Sequence, residues 1–137
     1  MFILRFTIVV IVICSIGVSQ QRKMKMDIID NNKMSLNYLF FLPEDYQVDK
    51  DKQWPVILFL HGMGERGEDL ELVKIHGIPK IVSSKKDFPF ITVSPQCPIE
   101  FVWRDKEMLK ALELLLSKIL KNSVSYTHLT LPTNREV

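Results

Sequence analysis

An α/β fold on a mostly parallel sheet, opened by an antiparallel N-terminal hairpin, is predicted by three features of the sequence. Two short apolar runs, at 55–60 and 90–93, lack polar alternation, the pattern of strands covered on both faces. A glycine-rich stretch, His61-Gly62-Met63-Gly64-Glu65-Arg66-Gly67, follows the first run directly. An amphipathic helix pattern over 106–121 follows the second.

The first nineteen residues stand apart from the rest. Arg5 precedes an apolar run over 6–14, small residues follow at Ser15, Gly17 and Ser19, and the chain then turns polar at Gln20, Gln21, Arg22 and Lys23. This is the layout of a secretory signal peptide over 1–19, cut after Ser19. The core is short for a membrane span of about 20 apolar residues, so cleavage is expected over retention as an anchor. Ile13 in front of Cys14 is too large for a lipoprotein signal. With the signal removed, Cys97 is the one cysteine left, flanked by Pro95 and Pro98, and no internal disulfide can form. It reads as a small buried hydrophobe.

After the signal, 24–29 and 36–42 read as strands, with Asp30, Asn31 and Asn32 as the hairpin turn. Pro43 ends the second strand, and 44–53 is polar loop. The strand at 55–60 then enters the glycine stretch. Short helices are expected at 70–76 and 79–83. The strand at 90–93 ends at Ser94 and Pro95, and two prolines in four residues make 95–98 loop. Asp105 is the expected N-cap of the last helix, with Glu107 in its first turn and Lys118 and Lys121 in its last. Met108, Leu112, Leu115 and Ile119 line one face, and Leu109, Leu116 and Leu120 widen it.

Beyond Ser123 the pattern is lost. Residues 124–137 have no usable periodicity, and they look like the peptide read through a transposon-type sequencing adapter joined to a gene fragment. They are expected to be foreign to the fold. The alternative is a genuine, poorly structured tail.

Composition narrows the function. The chain has 137 residues, 47% of them apolar and 25% charged, which excludes wholesale disorder. A formal net charge of +2, with basic residues scattered among acids, gives no footprint for nucleic acid. His61, His76 and His128 are far apart without paired cysteines, so no metal is expected. The glycine stretch lacks the Gly-Lys-Ser/Thr ending of a phosphate loop; Gly62, Gly64 and Gly67 do fall in the Gly-x-Gly-x-x-Gly spacing of a dinucleotide site, a spacing that is weakly specific by itself.

The stretch from Trp54 to Gly67 resembles the strand and oxyanion loop of secreted α/β-hydrolases. The closest groups are predicted peptidases, feruloyl-esterase-like and polyhydroxybutyrate-depolymerase-like serine hydrolases. The segment Phe90-Ile91-Thr92-Val93-Ser94-Pro95-Gln96-Cys97-Pro98, with Trp103 beyond it, looks like the next strand and loop of the same group. The resemblance covers about 39–121. It implies hydrolysis of carboxylic esters or peptides through an acyl-enzyme, with a small ester or peptide as partner and no cofactor. Membrane contact would come only through the signal segment before cleavage. His61, Gly62, Met63 and Gly64 would form the oxyanion-hole and substrate loop, with the N–H of Met63 as one donor.

No Gly-x-Ser-x-Gly occurs in the chain, and Ser83, Ser84 and Ser94 have no glycine elbow around them. In this fold the triad runs serine, acid, histidine, so His61 and His76 lie upstream of where a nucleophile would fall and are not assigned as bases. His61 reads as a loop-orienting residue and His76 as a partly exposed residue at a helix end. Glu65 and Arg66 are expected to pair near the loop, and a direct substrate contact for Arg66 is the alternative. Residues 20–123 would then be the N-terminal part of the hydrolase domain, without nucleophile, acid or base, and inactive alone. Half a sheet leaves an apolar edge open, so the isolated chain is expected to be unstable or to aggregate. A non-catalytic secreted binding module is the competing reading.

Overall fold

The computed structural model describes residues 21–28, 34–48 and 52–123 as a mixed α/β unit. The predicted signal segment, the hairpin turn at Asp30 to Asn32 and the tail at 124–137 lie outside the described residues.

Strands β1 (Gln21–Ile28) and β2 (Met34–Phe41) pair antiparallel from Gln21↔Phe41 to Ile28↔Met34. Each begins earlier than its apolar residues announce. Arg22 and Lys23 add no burial, but their backbone completes the ladder opposite Phe40 and Leu39. Beyond Pro43 the polar segment makes one 3-10 turn (Glu44–Gln47).

Strands β3 (Val56–Leu58) and β4 (Ile91–Pro95) pair parallel, and β4 also pairs antiparallel with β2. The sheet order is β1-β2-β4-β3. Two of its three pairings are therefore antiparallel, which corrects the expected mostly parallel sheet. The reason is the position of β2. It serves as hairpin partner on one side and as neighbour of β4 on the other.

The two apolar runs also differ in burial. All five residues of β4 are buried, as its sequence predicts. All three residues of β3 are only half-buried, against expectation, because β3 is the outer strand among the described residues.

Pro95 belongs to β4 rather than to a loop, a second correction. It sits opposite Tyr38, and the next residue carries the bond to β2, Gln96 N–H to Asn37 O at 2.8 Å. Proline at position 95 thus faces β2 where no N–H is needed. On the β3 side the last rung is Phe59 N–H to Val93 O at 2.9 Å. The following rung would need an N–H from residue 95, so the missing proton ends that pairing.

Helices α1 (Leu70–Val73) and α2 (Gly77–Ser84) follow β3. The Asp69 carboxylate caps α1 by accepting from Glu71 N–H at 3.0 Å. Gly77 opens α2 at φ +61°, and a Cβ there would stand 2.4 Å from the Phe59 ring, so only glycine fits. Helix α3 (Lys106–Ser123) starts directly after Asp105, as predicted. The Asp105 carboxylate, however, accepts from Val102 N–H at 2.8 Å and closes the preceding turn.

The buried face of α3 is Met108, Leu112, Leu115 and Ile119, joined by Ala111. Leu109 does not widen it and is 55% exposed. Met108, Ala111, Leu115 and Ile119 of this face pack with Met26, Ile28, Leu36, Tyr38, Val93 and Cys97 into the main core. Each fully buried side chain of this size contributes roughly 1.5–3 kcal/mol. Leu39, Leu70 and Val73 form a smaller cluster under α1.

Candidate active-site loop

The loop leaves the C-terminal end of β3 and runs from His61 to Asp69. His61 is 5% exposed and is held by three contacts. Cys97 N–H donates to Nε2 at 3.0 Å, Nδ1 lies 2.6 Å from Gly62 O, and Trp103 Nε1–H donates to His61 O at 2.9 Å. The Trp103 indole also meets the imidazole edge-on, with ring centroids 5.0 Å apart. A backbone N–H can only donate, so Nε2 is an acceptor and the ring proton sits on Nδ1, directed at Gly62 O. His61 is therefore a loop-orienting residue, and its two nitrogens are both engaged.

The consequence falls on the Gly62–Met63 peptide. Its carbonyl is held by His61, so its N–H, on Met63, points the opposite way. That N–H makes no backbone hydrogen bond outside its own 3-10 turn (Met63–Glu65) among the described residues. The Met63 side chain is 71% exposed.

The glycines serve different ends. Gly67 has φ +129° and donates to Cys97 O at 2.9 Å, a backbone form that favours glycine. Gly62 has ordinary extended angles, and a Cβ on Gly64 would meet nothing within 4 Å. A Cβ on Gly62 would stand 3.2 Å from Glu65 Oε2, so of these two glycines only Gly64 faces open space.

The expected Glu65–Arg66 pair does not form among the described residues. Arg66 instead donates to three carbonyls, Met63 O at 3.2 Å, Ile99 O at 3.3 Å and Phe101 O at 3.1 Å. Carbonyls of the facing 98–103 turn offer fixed acceptors, while Glu65 is on the same short turn. Cys97 is fully buried, its thiol donates to Phe101 O at 3.2 Å, and burial pushes the thiol pKa up. His76 is exposed and precedes α2, so it marks a helix start rather than an end. His128 lies outside the described residues.

Sequence reasoning missed Gln96. Its side chain is 1% exposed, and Nε2 donates to Glu65 O and to Asp69 O, each at 2.8 Å. The Ser-Pro-Gln-Cys-Pro stretch drew notice only through resemblance. A cleft of about 590 Å³ opens beside Gln96, between the hairpin, the start of α3 and the 96–101 loop. Lys25, Ile28, Phe101 and Glu107 line it, and none of His61, Gly62, Met63 or Gly64 does. Among the described residues no three His, Cys, Asp or Glu side chains gather as a metal site, and no helix is long and apolar enough to cross a membrane.

No protein-family model matches the chain, and no curated protein matches it. Among solved structures, the crystal structure of a thermostable esterase matches with a TM-score of 0.50 at 24% identity. The match covers 73% of this chain and 30% of that chain, so this chain spans under a third of the esterase's length. At this identity the likeness is one of fold, the mixed sheet with its covering helices.

Proposed function

We propose that the chain is the N-terminal part of a secreted serine hydrolase of the α/β-hydrolase fold. It would act on carboxylic esters or peptides through an acyl-enzyme, with 61–64 as the oxyanion loop. The observation that carries this reading is the Met63 N–H beyond the C-terminal end of a parallel strand, with the Gly62 carbonyl of the same peptide turned away by His61. Acyl transfer builds negative charge on the carbonyl oxygen, and one fixed N–H donor is worth about 3 kcal/mol at that oxygen. Strand ends of this kind are where ligands sit in α/β sheets. The esterase neighbour supports a hydrolase-like sheet.

The second oxyanion donor, the serine, the acid and the histidine base would come from sequence beyond Ser123. The chain alone is therefore inactive. Residues 1–19 direct export, and no metal or organic cofactor takes part.

The test begins with the source DNA past the codon for Asn122. The frame is expected to continue into an apolar strand and Gly-x-Ser-x-Gly. The protein made from that frame should be labelled by a fluorophosphonate, and Ser→Ala at the elbow should abolish labelling. Met63→Pro, which removes the donor, should lower kcat about 10²–10³-fold. A folded, continued product that neither reacts with the probe nor cleaves any ester or peptide would overturn the proposal.

A further inference from the structure

The geometry points to Gln96 as the residue that positions the 61–69 loop and, on the hydrolase reading above, the Met63 N–H with it. Three observations support this. Gln96 sits at the C-terminal end of β4, with its own N–H anchored on Asn37 O at 2.8 Å. Both hydrogens of its side-chain amide are used, one on Glu65 O and one on Asp69 O. The next residue continues the grip, since Cys97 N–H bonds the His61 ring and Cys97 O accepts from Gly67 N–H. Two consecutive residues thus hold the loop at four places: 61, 65, 67 and 69.

The choice of glutamine is itself informative. Its Oε1 is buried and has no partner among the described residues. An orphaned buried acceptor is destabilising, because it gives up its bond to water and gains none. Methionine has nearly the same shape and would fill the space without that cost. Packing therefore does not account for glutamine here, whereas two donors aimed at two loop carbonyls do. The Arg66 bonds lie toward solvent and grip from the outside. Gln96 is the buried strut.

The test compares Gln96→Met and Gln96→Glu with the parent in the full chain. Hydrogen exchange is read at Gly67 N–H and at α3 amides, alongside the thermal midpoint. For Gln96→Met, Gly67 should lose protection by about tenfold or more, with α3 protection kept and the midpoint little changed. For Gln96→Glu, the loss should be present when the carboxylate is ionised. It should be partly reversed on acidification, because a protonated carboxyl regains one donor. In the continued reading frame, Gln96→Met should lower kcat by about tenfold or more at similar KM.

Unchanged Gly67 exchange in Gln96→Met would overturn the proposal. So would parallel loss of Gly67 protection, α3 protection and midpoint in both variants, since that would make Gln96 a plain core residue. These exchange results do not depend on catalysis. If they come out as expected while fluorophosphonate labelling fails, the hydrolase reading falls and the catalytic meaning of the strut falls with it.

Discussion

The two edges of the sheet are made of opposite chemistry. β1 carries Arg22, Lys23 and Lys25, all exposed, along its length. β3 is Val56, Ile57 and Leu58, all half-buried and without a charge. Edge strands that end a sheet are commonly guarded by lysine and arginine, because unpaired N–H and C=O groups invite another strand. β1 is guarded in this way. β3 is not, and the bonds at Pro55 O and Phe59 N–H toward β4 leave Val56 and Leu58 presenting their backbone groups outward. The difference is that β1 carries the chemistry of a boundary and β3 that of an interior strand, as the proposed hydrolase, whose sheet would continue past β3, requires.

The strongest way to break the comparison is to remove what both edges share. Leu115 is fully buried in the core under α3. Leu115→Ala should cost about 2–5 kcal/mol, with protection lost at both edges together in hydrogen exchange. A loss confined to one edge would mean the two do not share one core.

Gly77→Ala should act first at the start of α2 and at Phe59, just beyond β3. The left-handed backbone and the contact with Phe59 together should cost roughly 2 kcal/mol by urea denaturation. Exchange should rise at Phe59 while the hairpin amides keep their protection.

The edge chemistry itself is tested by charge. Ile57→Lys should weaken self-association about tenfold by sedimentation velocity, or ~1.4 kcal/mol. Removing Lys23 and Lys25 should strengthen it. Equal behaviour of the two variants would dismiss the distinction between edges.

The smallest effect concerns the tether of β1 to α1. Glu71 accepts from Lys23 Nζ at 2.8 Å and from Lys74 Nζ at 2.8 Å, which lowers its carboxyl to about 2. A lowered folded pKa stabilises above the usual value near 4.5, and that contribution is lost as pH falls from there toward 2. The groups are exposed, so the effect is small. The stability gap between the parent and Glu71→Gln should close across that window in urea titrations.

Much of this was legible in the sequence where the signal is local. The two strand patterns on either side of 30–32 marked the β1–β2 pair, the stripe from Met108 to Ile119 marked α3, and the apolar run at 90–93 marked β4. The failures lie where the cause is distant. Nothing near Leu36 or Tyr38 states that β2 pairs with β4 as well as with β1. Pro95 looked like a strand breaker because its tolerated position depends on the register with Tyr38. Gln96 was passed over because its acceptors, Glu65 O and Asp69 O, are backbone atoms 31 and 27 residues away. Backbone acceptors leave no mark in side-chain patterns. His61 reads in the sequence as a loop-orienting residue, and the partners that hold it, Cys97 N–H and Trp103 Nε1–H, are equally invisible there.

The locked imidazole also gives the loop a chemical reporter. Acylating reagents for histidine attack a free ring lone pair, and the Nε2 lone pair of His61 is occupied by an amide inside the protein. His76, exposed ahead of α2, has no such protection. In the intact fold, diethyl pyrocarbonate should consume His76 and spare His61. Carbethoxylation of His61 would then announce that the loop has come away from the end of β4, even in a sample where no reaction can be assayed.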